Sequence, residues 1–278
     1  MPSQSPLFHA QNADRYARQE LIRHYQTEFN CRLIVMVDAI LANNVTYFEE
    51  LIFDADPGQD LHLVLQTPGG DPETAIRLVR AAQSRCKELT VVVPDMAKSA
   101  GTLLAMGAHH ILMGPTSDLG PVDPQLQAPN GRLISCNDLI NAVDRAMSDV
   151  QASPETYTLH SALLANVDAI TVQFARSAIA RTDELVAEAL SSRPDRPTEE
   201  LAELSASLKD ALVDKTNSHN AVVGADAAKK AGLPVTKADP QCHQWQLIWR
   251  LWTKYYALGQ ACAVYEGERA SYVIPYDN

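Results

Sequence analysis

The sequence predicts an α/β protein with a largely parallel sheet. Apolar segments that end in turn residues are each followed by a helical pattern, at intervals of about 25 to 30 residues. This repeated strand–turn–helix order is typical of right-handed crossovers between parallel strands. A chain of 278 residues is long enough for one large domain, or for one domain with an appended helical part.

The strands are predicted from short apolar runs that are bounded by turn residues. They lie at the start of 32–41 and at 61–66, 89–93 and 110–113. The next helix after 61–66 begins at Asp71-Pro72, because Asp is a good N-cap and Pro is tolerated at the first helical position. The other helices are predicted at 12–29, 43–53, 99–107, 225–231 and 245–256, with 136–214 mostly helical and 114–129 a long loop.

Composition narrows the class of protein. The formal net charge of −11 argues against a nucleic-acid partner and against an anionic membrane surface, since both would be repelled. We find no run of about 18 apolar residues, and residues 1–26 lack the apolar core of a signal peptide. These observations predict a cytoplasmic protein without a membrane span.

The cysteine pattern bears on the redox compartment, and a search for cofactor motifs bears on the chemistry. Five scattered cysteines without a CxxC pair are typical of reduced thiols rather than of a zinc ribbon. The sequence contains no metal-ligand cluster, Walker loop or dinucleotide fingerprint. We therefore expect neither a metal nor a cofactor.

Ser99 is the first candidate for chemistry. It lies between a predicted strand and a predicted helix, with small residues at Ala97 and Gly101. A sharp strand-to-helix turn lifts a serine hydroxyl into position and aims the free helix amides at a reacting carbonyl oxygen. The spacing resembles the small-x-Ser-x-small elbow of hydrolases. An ordinary N-cap serine is the alternative.

Gly69 and Gly70 form the second candidate element. They follow a predicted strand and precede the helix that Asp71 caps. Glycine allows positive φ and a close approach of the backbone to a ligand. The amides of Gly70 and Ala100 could therefore form an oxyanion hole, with a plain strand-to-helix turn as the alternative.

Three segments in order carry a resemblance to a known family. They are TPGG at 67–70, AKSAGTLLAMGA at 97–108 and MGPTSDLGPVDPQ at 113–125. The pattern resembles the Clp protease and signal peptide peptidase superfamily, and most of all the branch called serine dehydrogenase proteinases. The likeness is dense over 32–125 and resumes at 218–219 and 224–235. It implies a ClpP/crotonase-like spiral of ββα units, with Ser99 as nucleophile and the Gly70 and Ala100 amides as oxyanion donors.

The same resemblance suggests a base. The branch has the order Ser, Asp, His, which His219 fits as the last member, although a surface-loop histidine is the alternative. In the Clp subunit the histidine lies at a position that corresponds to Met113 or Gly114 here, and this chain has no histidine at that position. Signal peptide peptidases use a lysine, but none occurs between Ser99 and residue 208. Lys98 is adjacent to Ser99, and a solvated or structural lysine is its simplest interpretation.

A histidine base needs a group that fixes its tautomer. Asp123, held between Pro121 and Pro124, is the first candidate, because it lies in the loop that passes the active site in this superfamily. Asp118 is the second candidate. Both could instead be turn formers.

The helical patterns at both ends and the resemblance between them predict three parts of the chain. They are an N-terminal helix at 1–30, a ClpP/crotonase-like catalytic domain at 31–240, and a C-terminal helix and tail at 241–278. The aromatic residues of that last helix could pack against a neighbouring copy in a homo-oligomer, or against the chain's own core.

The function predicted is a serine peptidase acting on a peptide or protein substrate. Two alternatives stay open: an acyl-CoA thioester hydrolase or hydratase on the same fold, and a catalytically degenerate oligomeric scaffold. Because the chain has no ATPase motif, degradation of folded proteins would require a separate ATPase or unfoldase.

Overall fold

The structure is a computed structural model that describes residues 5–127, 131–214, 221–259 and 262–276. Its strands are β1 (Cys31–Val37), β2 (Asp60–Gln66), β3 (Leu89–Val93), β4 (Met96–Ala97), β5 (His110–Met113), β6 (Asp118–Leu119), β7 (Gln125–Gln127), β8 (Leu133–Ser135), β9 (Val235–Lys237), β10 (Cys262–Glu266) and β11 (Ser271–Pro275).

Most of the described chain outside the strands is helical. The helices are α1 (Pro6–Phe29), α2 (Asn44–Ile52), α3 (Pro72–Gln83), α4 (Ala100–Met106), α5 (Cys136–Ala152), α6 (Tyr157–Leu163), α7 (Ala169–Ser191), α8 (Thr198–Lys209), α9 (Ala225–Lys230) and α10 (His243–Tyr256), with short helical turns at Pro154–Thr156 and Asp210–Asp214.

Seven strands form the main sheet in the order β11-β10-β1-β2-β3-β5-β9. The five strands from β1 to β9 pair in parallel, whereas β10 pairs antiparallel with β1 and with β11. The prediction of an α/β fold with a largely parallel sheet is confirmed.

Just after the carboxyl ends of successive sheet strands, short segments of the chain pair with one another. Ile40 bridges Gly70, Thr67 bridges Ala97, and β4 pairs with β6. Each unit thus has a long strand, a short bridging segment and, in the first three units, a helix directly afterwards. This is the predicted ClpP/crotonase-like spiral of ββα units, and the bridging segments carry the residues of the candidate site.

Side chains of the central strands β1, β2, β3 and β5 alternate between two cores, as the pleat requires. On one face, Ile34 and Met36 of β1 pack in the cluster that contains α2, α3, α4 and α7. On the other face, Leu33 and Val35 pack in the cluster that contains α1 and α10.

The aromatic helix α10 packs on the chain's own sheet. Trp245, Trp252 and Tyr255 are buried there, whereas Trp249 and Tyr256 are exposed. Of the two packing alternatives, the structure therefore has the intramolecular one for the buried rings.

The residues after α10 contain two strands for which the sequence analysis makes no prediction. Strands β10 and β11 form an antiparallel pair that extends the main sheet beyond β1. Within the described ranges, no helix combines the length and the apolar character that crossing a membrane requires.

Candidate functional site

Ser99 has a strained backbone at the junction of β4 and α4. Its φ of 48° and ψ of −106° lie outside the regions that L-residues favour. The Gly101 amide donates to the Lys98 carbonyl at 2.7 Å, and the Leu103 amide donates to the Ser99 carbonyl at 3.1 Å. The turn therefore begins the helix directly after the serine, as a nucleophile elbow does.

Thr102 fixes this turn from within α4. Its buried hydroxyl lies 2.9 Å from the Ala97 carbonyl and 2.8 Å from the Gly120 carbonyl, and it accepts from the Gly120 amide at 3.1 Å. A strained conformation persists only where the surroundings determine it. The Thr102 hydroxyl provides that determination by connecting both sides of the turn.

Gly101 is required by close packing. A methyl group at this position would lie 2.4 Å from the Cγ2 atom of Thr67 and 3.2 Å from the Cβ atom of Ala97. The small residue two positions after Ser99 is therefore explained by contact with the end of the neighbouring strand.

The Gly69–Gly70 turn lies against Ser99. A methyl group on Gly69 would be 3.0 Å from the Ser99 Cβ atom, and one on Gly70 would be 2.2 Å from the Ile40 carbonyl oxygen. Gly70 has a φ of 140°, which an L side chain rarely adopts. Among the described residues, neither the Gly70 amide nor the Ala100 amide has a hydrogen-bond acceptor. Both amides are thus available to a ligand.

Four of the residues predicted from sequence meet in one cavity of about 760 Å³. It is lined by uncharged residues together with one carboxylate: Ala39, Pro68, Gly69, Gly70, Pro72, Ser99, Val122, Asp123, Pro124, Gln125, Leu133 and Thr182. Ser99, Gly69, Gly70 and Asp123 come from three different loops, and the spiral of ββα units brings these loops to one side of the sheet.

Asp123 is buried in the wall of this cavity. Its Oδ1 atom accepts from the Ser135 hydroxyl at 2.9 Å and from the Asn137 side-chain amide at 3.2 Å. Ser135 also accepts from the Asp138 amide as the N-cap of α5. The sequence does not indicate these two contacts of Asp123, because Ser135 shows only a capping pattern there.

Cys136 lies beside this carboxylate and stays a thiol. Burial, and after it the charge of Asp123, raises the pKa of Cys136 to about 11. This cysteine is therefore a structural group rather than a second nucleophile.

Lys98 and Asp118 pair with each other outside the cavity. The Lys98 Nζ atom forms an ion pair with the Asp118 carboxylate and lies 3.4 Å from the Ala221 carbonyl oxygen. The second carboxylate oxygen of Asp118 accepts from the Val223 amide at 2.8 Å. Neither residue is among those that line the cavity. These contacts connect Lys98 and Asp118 to the segment before α9.

His219 lies outside the described residues. Every other histidine of the chain is described, and none of them lines the cavity. His109 accepts from the Leu89 amide at 3.0 Å, and His110 lies 3.0 Å from a Glu88 carboxylate oxygen. Neither of these two histidines lines the cavity that contains Ser99.

Comparisons with known proteins point to one family. Residues 51–252 match a family described as ClpP-like SDH-type serine proteinase. The uncharacterized protein MJ1495 of Methanocaldococcus jannaschii is 25% identical over 183 residues, covering 65% of this chain and 53% of that protein. The uncharacterized protein MJ0137 of the same organism is 40% identical over 72 residues, covering 26% of this chain and 25% of that protein.

Two further similarities concern proteases. The membrane-bound protease PH1510 of Pyrococcus horikoshii is 30% identical over 123 residues, which cover 37% of this chain and 28% of that protein. A solved structure, a mutant of the 1510-N membrane-bound stomatin-specific protease, is 25% identical, with a TM-score of 0.32 and coverage of 45% of this chain and 65% of that chain. The chain spans about half or less of the length of these curated relatives.

Proposed function

We propose that this chain, which belongs to the ClpP-like SDH-type serine proteinase family, hydrolyses peptide bonds with Ser99 as its nucleophile. One observation carries the proposal: strained Ser99 shares a cavity with the Gly69–Gly70 turn and with buried Asp123. Because the family is one of proteinases, peptide hydrolysis is favoured over the chemistry of acyl-CoA thioesters.

In the proposed mechanism, the Ser99 hydroxyl attacks the substrate carbonyl carbon while His219 accepts its proton. The amides of Gly70 and Ala100 donate hydrogen bonds to the oxyanion that forms. His219 then donates the proton to the leaving amine, and a water molecule hydrolyses the acyl-enzyme by the same steps.

Asp123 is the proposed orienting group for His219. A carboxylate that accepts the second ring N–H of a histidine base fixes its tautomer and stabilises the imidazolium. Ser135 and Asn137 donate to one oxygen of Asp123 and hold the carboxylate in one orientation. This proposal requires the segment that contains His219 to fold toward Val122 and Asp123.

We also propose the substrate and the surroundings of the enzyme. An extended peptide or protein segment would pair with the backbone beside Gly69, as peptides often do at strand edges. The cysteines form no disulfide, which fits a reducing compartment such as the cytoplasm. We further propose that the chain forms a homo-oligomer and works with a separate ATPase. Light scattering of the purified chain tests the oligomeric state.

The direct test is hydrolysis of fluorescently labelled casein by the purified full chain. We expect Ser99→Ala to lower the rate at least about 10³-fold, because a nucleophile has no substitute in this mechanism. Ser84→Ala, which alters an exposed serine at the end of α3, is the matched control and should retain the full rate. Equal rates for Ser99→Ala and the unmodified chain would exclude Ser99 as the nucleophile.

A further inference from the structure

Asp38 lies at the carboxyl end of β1, next to the cavity residue Ala39. Its buried carboxylate accepts from the Ala39 amide at 2.7 Å, the Asn44 side-chain amide at 3.0 Å and the Tyr276 hydroxyl at 2.8 Å. It also accepts from the Tyr265 hydroxyl. A carboxylate offers about four acceptor sites, so these donors fix Asp38 in one orientation.

The two tyrosines come from the far end of the chain. Tyr265 lies in β10, is fully buried and stacks on Tyr47, with 5.1 Å between ring centroids. Tyr276 directly follows β11 and is 47% exposed. Burial, and after it the hydrogen bond to Asp38, raises the pKa of both hydroxyls well above the ordinary range. Both remain protonated donors at any physiological pH.

The segment at 38–41 connects this carboxylate to the glycine turn. The Ile40 amide donates to the Gly69 carbonyl at 2.8 Å, and the Asp71 amide donates to the Ile40 carbonyl at 2.7 Å. Asn44, which donates to Asp38, also accepts from the Leu41 amide. The segment is therefore held at both ends, and its centre binds the residues on either side of Gly70.

We propose that Tyr265 and Tyr276 are positioning residues, which act through Asp38 and Ile40 to hold the Gly69–Gly70 turn beside Ser99. The catalytic consequence rests on the proposed function, in which the Gly70 amide binds the oxyanion. The C-terminal strand pair then has a role beyond covering the sheet edge: the position of the oxyanion donor depends on it.

Hydrogen exchange tests the positioning without any need for activity. Tyr276→Phe removes one hydroxyl from a half-exposed ring, so the fold should persist. We expect the Ile40 and Asp71 amides to exchange about tenfold faster in this variant, since one hydrogen bond to a charged group is lost. The amide of Val64, inside β2, should be unchanged.

Tyr272→Phe is the matched control. Tyr272 lies in β11 and packs on Tyr47 at 5.3 Å, and its hydroxyl has no hydrogen bond among the described residues. This variant should leave the exchange of Ile40 and Asp71 unchanged. Exchange at these amides that is equal in the two variants would overturn the proposal.

The rate of Ser99 modification by a fluorophosphonate probe tests the consequence. We expect Tyr276→Phe to react about three- to tenfold more slowly than Tyr272→Phe, because a displaced donor stabilises the tetrahedral centre less well. Faster exchange with an equal reaction rate would overturn the link to the oxyanion donor. A wild-type chain that the probe never modifies would instead contradict the proposed function, and the exchange measurement would still decide the positioning.

Discussion

The backbone of Ser99 has a conformation that L-residues do not favour. Among the described residues, Asn30 is the other non-glycine with positive φ, but it has the ordinary left-handed geometry of a helix C-cap. The ψ of −106° at Ser99 lies outside that left-handed region. Such strain costs about 1–3 kcal/mol and is common at functional sites. The strain places the hydroxyl at the start of α4 on the cavity wall.

This strain predicts a difference between two inactive variants. We expect the free energy of unfolding of Ser99→Gly to be about 1–2 kcal/mol higher than that of Ser99→Ala, since glycine adopts positive φ without a steric penalty. Urea unfolding of both variants measures the difference.

The same pair of substitutions at Ser84 is the control. Ser84 has a φ of −72° in the helical region. The free energy of unfolding of Ser84→Gly should therefore be no higher than that of Ser84→Ala. If Ser99→Gly gains nothing over Ser99→Ala, Ser99 does not have a strained backbone.

At the scale of elements, the bridging segments between the long strands and the helices build the site. The sequence predicts turns at 67–70 and at Ser99, whereas 38–41 lies in a segment predicted to begin as a strand. It also predicts the bounds of β3 and β5, because both are mostly apolar and are followed by turn residues. Strand β10 escapes prediction because it pairs with β1, more than 200 residues away, and β11 joins the sheet only through its pairing with β10. The partners of Asp123 escape for a similar reason, since they reach it only when β8 folds back on β7.

The Thr102 hydroxyl gives a prediction at this scale. Thr102→Val keeps the side-chain shape but leaves buried backbone groups of Ala97 and Gly120 without a partner. We expect the free energy of unfolding to fall by about 2 kcal/mol, with a loss of casein hydrolysis. Thr253→Val, whose hydroxyl bonds an exposed carbonyl within α10, should change neither quantity appreciably. A stable and fully active Thr102→Val variant would show that α4 does not need this hydrogen bond.

At the scale of the whole molecule, the sheet separates the site from a second core. The helices α1 and α10 cover the face opposite α3 and α4. A buried ion pair between Arg18 and Glu266, 2.7 Å apart, ties α1 to β10. On the same face, the Tyr25 hydroxyl lies 2.8 Å from the Nδ1 atom of His62. This second layer supports the strand pair that reaches Asp38.

His62 predicts how stability depends on pH. Burial lowers the pKa of His62 to about 4, below the value of about 6.5 in the unfolded chain. The folded state therefore keeps His62 neutral where the unfolded state binds a proton. The stabilisation is complete above pH 6.5 and is lost as the pH falls toward 4.

The measurement is the free energy of unfolding at pH 7 and at pH 4.5. We expect the decrease on acidification to be about 2 kcal/mol smaller in His62→Gln than in the unmodified chain. The exposed His243 is the control, and His243→Gln should leave the decrease unchanged. Equal decreases in His62→Gln and the unmodified chain would contradict the lowered pKa.

The central claim is that Ser99 attacks with His219 as its base. Mass spectrometry of the chain after reaction with a fluorophosphonate probe tests this claim most directly. We expect an adduct on Ser99 in the unsubstituted chain and in the control His160→Ala, because His160 lies in α6, 3.5 Å from an Asp149 carboxylate oxygen, and does not line the cavity. The reaction should be at least about 100-fold slower in His219→Ala. The claim would be contradicted if the unsubstituted chain formed no adduct on Ser99, or if His219→Ala reacted at the full rate.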